Sequence, residues 1–304
     1  MHRGERETVG LIGLGTMGSA IATRLVAQGQ TLTIFDIDDA AVQRVLKDAP
    51  QAHRATSIEE VARRCSIVLC SLAHPDIVAE VVTGSAGLRN YLSPNSIVVD
   101  VSTSGPGPVQ KCGAKLREAG CAMVDAAIGR GPAAALRGEL IFMVGGDDES
   151  IGRVEPVLNH LAARIVRCGP LGSGQAIKLA NNLVACANLA VIAEAYDLAK
   201  SNGCDPKLLL TIMQGTYADS FQLQHSINSK AIEGNFDIVF RLDLAAKDME
   251  LARQALVEKK QRSAFSGAAL EWFDAAISSG YGKLDWSAVL AVAEPTLAKS
   301  ATRK

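Results

Sequence analysis

The sequence predicts an α/β protein: a doubly wound sheet in the first half, then an all-α second half joined to it by one long helix. Three observations point there. Short β-rich runs alternate with helical patterns up to about residue 170. Those runs are continuously apolar, not alternating, which marks a sheet covered on both faces. At Gly169-Pro170-Leu171-Gly172-Ser173-Gly174 the alternation stops, and no convincing strand follows. The expected domains are 1–172 and 173–304.

The elements follow in order. Strands are expected at 9–14, 31–35, 67–72, 97–101, 122–127 and 140–144, each short and rich in Val, Ile or Leu. Helical patterns lie between strands at 19–27, 40–47, 58–63 and 108–119. A long helix is expected from about 175 to 200, then helices at 206–213, 221–232, 242–257, 266–279 and 287–298. No internal repeat or low-complexity tract interrupts them.

Composition narrows the function classes. The chain has 304 residues, of which 48% are hydrophobic and 21% charged, enough apolar content for sizeable cores. With 31 basic against 32 acidic residues the net charge is −1, so no cationic excess awaits nucleic acid. Aromatics, at 4%, are too sparse for base-stacking platforms. The seven cysteines form no C-x-x-C pair and are expected to be buried, reduced thiols. The five histidines are scattered without metal-ligand spacing, so no metal is expected. The start, MHRGERETVGLIGLG, lacks the apolar run of a signal peptide, and the most apolar helical stretch, 183–193, is shorter than a membrane span. The protein is therefore expected to be soluble and cytoplasmic, with no membrane partner.

Gly13, Gly15 and Gly18 form G-x-G-x-x-G between a strand and a helix. In that context the first glycine permits a tight turn, the second lets backbone approach a pyrophosphate, and the third lets helix and sheet pack closely. The helix N-terminus then favours phosphate charge. Asp36 stands at the end of the next strand, where a carboxylate accepts from the adenosine ribose hydroxyls and repels a 2′-phosphate. This combination predicts a Rossmann domain binding NAD in preference to NADP. Thr16 and Met17 inside the motif, and Leu72 at the end of the third expected strand, belong to the same expected site. The competing reading makes Asp36 only a cap on the following helix.

Within GSGQAIKLANN, Lys178 and Asn182 lie four apart on one helix face, with Asn181 beside them. Their apolar neighbours make this polar group costly to bury without purpose. A lysine ammonium steadies the negative charge that develops on a carbonyl oxygen during hydride transfer, then supplies the proton. Asn182 holds the substrate oxygen and the lysine in register. The competing reading is an exposed lysine near a helix start, with asparagines bonded across a domain interface.

These stretches resemble the β-hydroxyacid dehydrogenase family over nearly the whole chain. The likeness rests on GLGTMG at 13–18, DVSTSGP at 100–106, DAAIGRG at 125–131, GSGQAIKLANN at 172–182 and KDMELA at 247–252, in that order. The resemblance implies a catalytic lysine at Lys178 and a substrate-orienting asparagine at Asn182. It places Ser102 and Thr103 in a loop between cofactor and substrate, and Lys247, beside Asp248, near the nicotinamide end. The competing reading of Lys247 and Asp248 is a solvated helix pair. The family also implies a homodimer or homotetramer.

Many members have Ser-Gly-Gly where this chain has Gly129-Arg130-Gly131. A guanidinium there offers planar, bidentate recognition of an anion at any working pH. Arg130, with Gly129, Gly131, Ser102 and Asn181, is therefore expected to bind the acidic group of a small substrate, carboxylate or sulfonate. The Gly-Arg form and GYGKLDWSAVL near the C-terminus are similar to the sulfolactaldehyde reductases of the family. Ala185, one turn after Asn181, stands where those enzymes have a serine, which removes one sulfonate contact. The expected activity is NAD-dependent interconversion of a small anionic 3-hydroxyacid and its semialdehyde. Sulfolactaldehyde reduction is the alternative within the family. A non-catalytic NAD-binding scaffold is the alternative outside it.

Overall fold

The computed structural model describes residues 7–298. Residues 1–6, on which the expectation of no leader partly rests, and 299–304 lie outside the described residues. The chain divides into two compact units, the first ending at Lys178 and the second beginning at Leu179.

The first unit runs β1 (Val9–Ile12), α1 (Thr16–Ala27), β2 (Leu32–Phe35), α2 (Asp39–Asp48), β3 (His53–Arg54), α3 (Ile58–Arg64), β4 (Ile67–Cys70) and α4 (Pro75–Thr83). It continues with β5 (Ile97–Asp100), α5 (Pro106–Glu118), β6 (Ala122–Gly129), α6 (Pro132–Arg137), β7 (Leu140–Gly145), α7 (Asp148–Asn159) and β8 (Ala162–Gly169). The strands form one sheet in the order β3-β2-β1-β4-β5-β6-β7-β8. Only β6 and β7 pair antiparallel. This is a Rossmann-type sheet extended at one side by β6 to β8.

Alternate strand residues feed two separate cores. Ile67, Leu69 and Val99 pack with Ile21, Leu25, Val42 and Val154 on one face. Val68, Cys70 and Val98 pack with Val61, Val78, Val109 and Leu116 on the other. Burial on both faces is why these strands read as unbroken apolar runs. Register brings Ile12, Phe35, Cys70, Asp100 and Asp125 level with one another. Their loops therefore leave from one edge, the ligand edge of such sheets.

Several expectations need correction. The strands expected to reach Leu14, Leu72 and Val101 end at Ile12, Cys70 and Asp100, and the remaining residues form the edge loops. Strand β6 instead runs beyond Ala127 to Gly129, which pairs with Ile141. Gly129 is thus strand and not loop. Five elements were not expected from the sequence: β3, α4, α6, α7 and β8. Strand β3 has two residues, too few for a pattern. Strand β8 is an edge strand whose run is broken by Arg164 and Arg167, a common guard against edge pairing. Arg167 bonds Asp148 at 3.2 Å and Glu155 at 2.6 Å on α7. Of the cysteines, Cys168 is only half-buried and Cys204 is exposed, and all seven are free thiols.

Helix α8 (Ser173–Ser201) begins in the first unit and continues into the second. The second unit then holds α9 (Pro206–Met213), a π-helical turn (Leu223–Asn228), α10 (Leu242–Glu258), α11 (Ala264–Ser278) and α12 (Leu290–Ala293). Its core gathers Leu189, Ile192, Leu223, Met249, Phe273 and Leu290. The helix expected at 221–232 is that π turn followed by a short 3-10 turn, and the one expected at 287–298 is broken into three short pieces, the last of them opened by Pro295. Helix α8 has 29 residues, far more than 183–193, and by length and composition alone is long enough to cross a membrane; 39% of its most apolar window is buried inside the fold.

Candidate active site

The dinucleotide edge is built around the turn between β1 and α1. Gly13 has φ 93°, and a Cβ there would collide with the Ser71 carbonyl; one on Gly18 would collide with the Gly13 carbonyl. Strand, turn and helix therefore pack too closely for side chains. Gly15 is the opposite case: nothing lies within 4 Å of where its Cβ would stand. It is the N-cap of α1, whose first turn has no side-chain cap and no acidic residue. Open backbone with free helix-start amides is a fit for a pyrophosphate. Thr16 and Met17 occupy the first turn, exposed and half-buried respectively.

Asp36 holds this turn in shape. One carboxylate oxygen accepts from the Leu14 amide at 2.5 Å and the other from the Asp38 amide at 2.8 Å. The cap on α2 is Asp38, which accepts from the Ala40 amide at 2.9 Å. Asp36 is thus not the cap of the following helix. A carboxylate has about four acceptor positions, so two remain for hydroxyl donors.

At the end of β4 and β5 the Ser102 hydroxyl donates to the Cys70 carbonyl at 3.1 Å and accepts from the Leu72 amide at 2.9 Å. Its own amide donates to Asp100 at 2.9 Å. Ser102 is buried, and its polar atoms knit Leu72 and the β5 loop together. Thr103, next along, is half-exposed.

Two residues absent from the expected site form the root of α8. Asp125 on β6 is 0% exposed. Its oxygens accept from the Gly172 amide at 2.6 Å and the Gln175 amide at 2.7 Å. Burial, together with the charge of Asp100, pushes its pKa up to about 6 against the lowering effect of those amides. The Gln175 side chain accepts from the Ser104 amide at 2.9 Å and the Gly105 amide at 3.1 Å, and donates to the Ser102 carbonyl at 2.9 Å. These bonds hold the first turn of α8 to the sheet, which is why the first unit extends to Lys178 and not to residue 172. The half-buried Lys178 follows Gln175 by three residues, on the same side of the helix.

In the second unit, Asn182 is 3% exposed and donates to Asp248 on α10 at 2.7 Å. Its carbonyl oxygen accepts from Asn181 at 3.2 Å. Lys247 pairs with the other Asp248 oxygen at 2.9 Å, with side-chain exposures of 16% and 1%. Asp248 is therefore buried and Lys247 half-buried, so the two do not form a solvated pair. Asp248 dictates which end of the Asn182 amide faces it, and Lys247 balances its charge.

Arg130 follows β6, which runs past the level of Asp125 through residues 126–129, roughly 13 Å at strand rise. It is exposed, has φ 75°, and donates to the Glu139 carbonyl at 3.1 Å. Gly131 is the N-cap of α6, with Pro132 opening that helix. One Arg130 donor is thus used at home, out of the five that a guanidinium carries.

Comparison with known proteins completes the picture. Residues 8–169 match the family described as the NAD binding domain of 6-phosphogluconate dehydrogenase. Residues 172–293 match the family described as NAD-binding of NADP-dependent 3-hydroxyisobutyrate dehydrogenase. A 3-sulfolactaldehyde reductase of Escherichia coli (strain K12) is 30% identical over 282 residues, 93% of this chain and 94% of that protein. The chain belongs to the β-hydroxyacid dehydrogenase family. Another member, an NAD-dependent L-serine dehydrogenase of Pseudomonas aeruginosa, is 30% identical over 294 residues, 95% of this chain and 98% of that protein. Among solved structures, a Mycobacterium tuberculosis 3-hydroxyisobutyrate dehydrogenase with L-serine superposes with TM-score 0.86 at 25% identity, covering 95% of this chain and 100% of that one. As a family member the chain is an oxidoreductase that uses NAD(P).

Asp125 and Gln175 are the site residues that sequence reasoning passed over, and for Asp248, named there beside Lys247, its bond to Asn182 was not foreseen. Asp125 and Gln175 were visible only as polar residues inside an apolar stretch or a quoted motif: Asp125 amid Ala122–Gly129, Gln175 at a helix start.

Proposed function

We propose that the chain interconverts a small anionic 3-hydroxyacid and its semialdehyde, using NAD in preference to NADP. The observation that supports this most is that Lys178 and Asn182 share one uninterrupted helix, α8, with both ends of the polar group anchored. The root of α8 is bonded to the dinucleotide edge through Asp125 and Gln175, and Asn182 is oriented by Asp248. NAD bound at that edge supplies the hydride acceptor in oxidation and, reduced, the hydride donor in the return direction. Lys178 then handles the proton: its amine takes the hydroxyl proton during oxidation, and its ammonium returns it to the forming alkoxide during reduction. Asn182 fixes the reacting oxygen. Arg130 and the Gly131 amide bind the acid group. Asp36 favours NAD, since a second negative charge beside it is repelled. Lys247 is assigned to the nicotinamide end of the cofactor on the family resemblance alone. Ser102, committed to Cys70 and Leu72, supports the reading by shaping the loop that Thr103 continues.

Replacing Lys178 with alanine tests this. Turnover falls by about two to four orders of magnitude, the usual worth of a positioned acid or base, while NADH binding is retained. Unchanged kcat removes Lys178 from the chemistry.

The sulfonate reading remains as a second one, favoured by Arg130 and by the 3-sulfolactaldehyde reductase relative. It predicts a lower KM for the sulfonated aldehyde than for its carboxylate counterpart. We also propose that the chain assembles with copies of itself. Val184, Val191 and Leu198 on α8 are 61%, 58% and 65% exposed and lie seven residues apart. Asn188 and Ala195 fall between them, so the stripe is uncharged and has the 3-4 spacing of a helix-to-helix seam.

A further inference from the structure

The root of α8 contains a buried carboxylate that the proposed chemistry does not consume. Asp125 is enclosed by β5, β7, β8 and the start of α8. Gly145 stands opposite it on β7, and a Cβ on Gly174 would lie 2.7 Å from its Oδ2 and against the Met143 carbonyl. The titratable groups facing it are Asp100 on β5 and the Cys168 thiol on β8; α8 offers it amides. Its two oxygens each take one amide at the head of a 29-residue helix, the end where helix dipoles favour negative charge.

We propose that Asp125 is a positioning residue for the reaction: by capping the first turn of α8 with both oxygens, its ionised carboxylate fixes where Lys178 presents its amine. The proposal rests on Lys178 being the acid and base. Gln175 completes the grip, because its amide bonds Asp125 while its side chain bonds the loop at Ser102, Ser104 and Gly105.

Stability alone does not account for Asp125. Its pKa is raised by burial to about 6, so between the ordinary carboxylate value and 6 the folded state takes up the proton more readily than the unfolded chain. Its contribution to stability is greatest when protonated and declines as pH rises through 6. At pH 8 the fold holds a charge that works against folding. Only the ionised form offers two acceptors to two amides. On protonation one oxygen carries a hydrogen, one amide is released, and the first turn of α8 loosens under Lys178.

The test is Asp125→Asn in the full-length enzyme, beside the wild type and Lys178→Ala. Aldehyde reduction is followed from pH 5 to 9 at saturating NADH, a direction in which loss of the Lys178 proton appears on the alkaline side. In the wild type, kcat declines on the acid side with a midpoint near 6 while the Kd for NADH stays flat. In Asp125→Asn that acid limb disappears, and kcat at pH 8 falls about 10- to 100-fold, the cost of a catalytic group displaced by about an ångström. NADH Kd stays within about twofold and Tm at pH 8 within a few degrees, since the relieved charge offsets the lost hydrogen bond. A kcat within twofold of wild type, an acid limb still near 6, or NADH affinity lost in step with turnover would each overturn the proposal. If Lys178→Ala is inactive and Asp125→Asn is normal, the positioning role alone fails. If Lys178→Ala turns over normally, the reading beneath it fails as well. Should the variant not fold, the wild-type profile decides: a kcat flat from pH 5 to 8 overturns the proposal.

Discussion

Arg130 occupies a left-handed backbone conformation, φ 75°, that costs a non-glycine residue about 1 kcal/mol. Glycine at this position would have been the cheaper choice, and its neighbours Gly129 and Gly131 are both glycines. A guanidinium held at that cost, at the tip of the strand that projects beyond the sheet edge, suits anion recognition. Replacing Arg130 with methionine keeps the length and removes the charge. The expected result is a KM for the anionic substrate raised about 10- to 100-fold, the worth of one or two charge-assisted hydrogen bonds, with little change for a neutral aldehyde. Equal effects on both substrates would refute the clamp. Asp36 was legible from its place after a strand, because its role depends on local spacing. Asn182 was legible as polar among apolar neighbours, but its partner was not. Asp248 is 66 residues away, and only the packing of α8 on α10 within the second unit brings the two to 2.7 Å.

At the scale of elements, α8 does three things. Its root is bonded to the sheet, its middle enters the core of the second unit through Leu189 and Ile192, and another stripe stays exposed. A helix that buries one stripe and leaves another apolar and uncharged has surface for a partner helix. Val191→Glu places a charge at the centre of that stripe without touching either core. Light scattering coupled to gel filtration should then show a smaller assembly than the wild type, with NADH still bound. An unchanged mass would rule out this stripe as the contact. The long helix itself was legible from its unbroken run of Ala, Leu and Val, while the π turn at Leu223–Asn228 was not, since its pattern there is also compatible with an α-helix.

At the scale of the molecule, each unit has its own core, two layers around the sheet in the first and one helical cluster in the second. Cofactor binding should therefore stabilise the first unit by mass action. With NAD+ at a hundred times its Kd the gain is about 2.7 kcal/mol. For a unit of this size that is a rise of roughly 5–10 °C in the sheet's thermal transition, followed by circular dichroism. NADP+ at the same concentration should give a smaller rise because Asp36 faces its additional phosphate. A larger rise with NADP+ would count against NAD preference.

The sequence by itself determined the two-part architecture, the glycine turn with its acid, and the helix bearing Lys178 and Asn182. All of these are written in periodicity and short spacing, which depend on neighbours within a turn or a strand. Tertiary structure decided the rest. Asp125 became a helix cap because β6 lies under the head of α8, 47 residues onward from it at Gly172. Ser102 became a strut because β4 and β5 end level. Gly129 became strand because β7 pairs beside it, and β8 became an edge whose charges no apolar pattern could announce. A hydrogen bond between distant residues exists only once the cores have closed around it, so its geometry is a property of the packed chain and not of any stretch read alone.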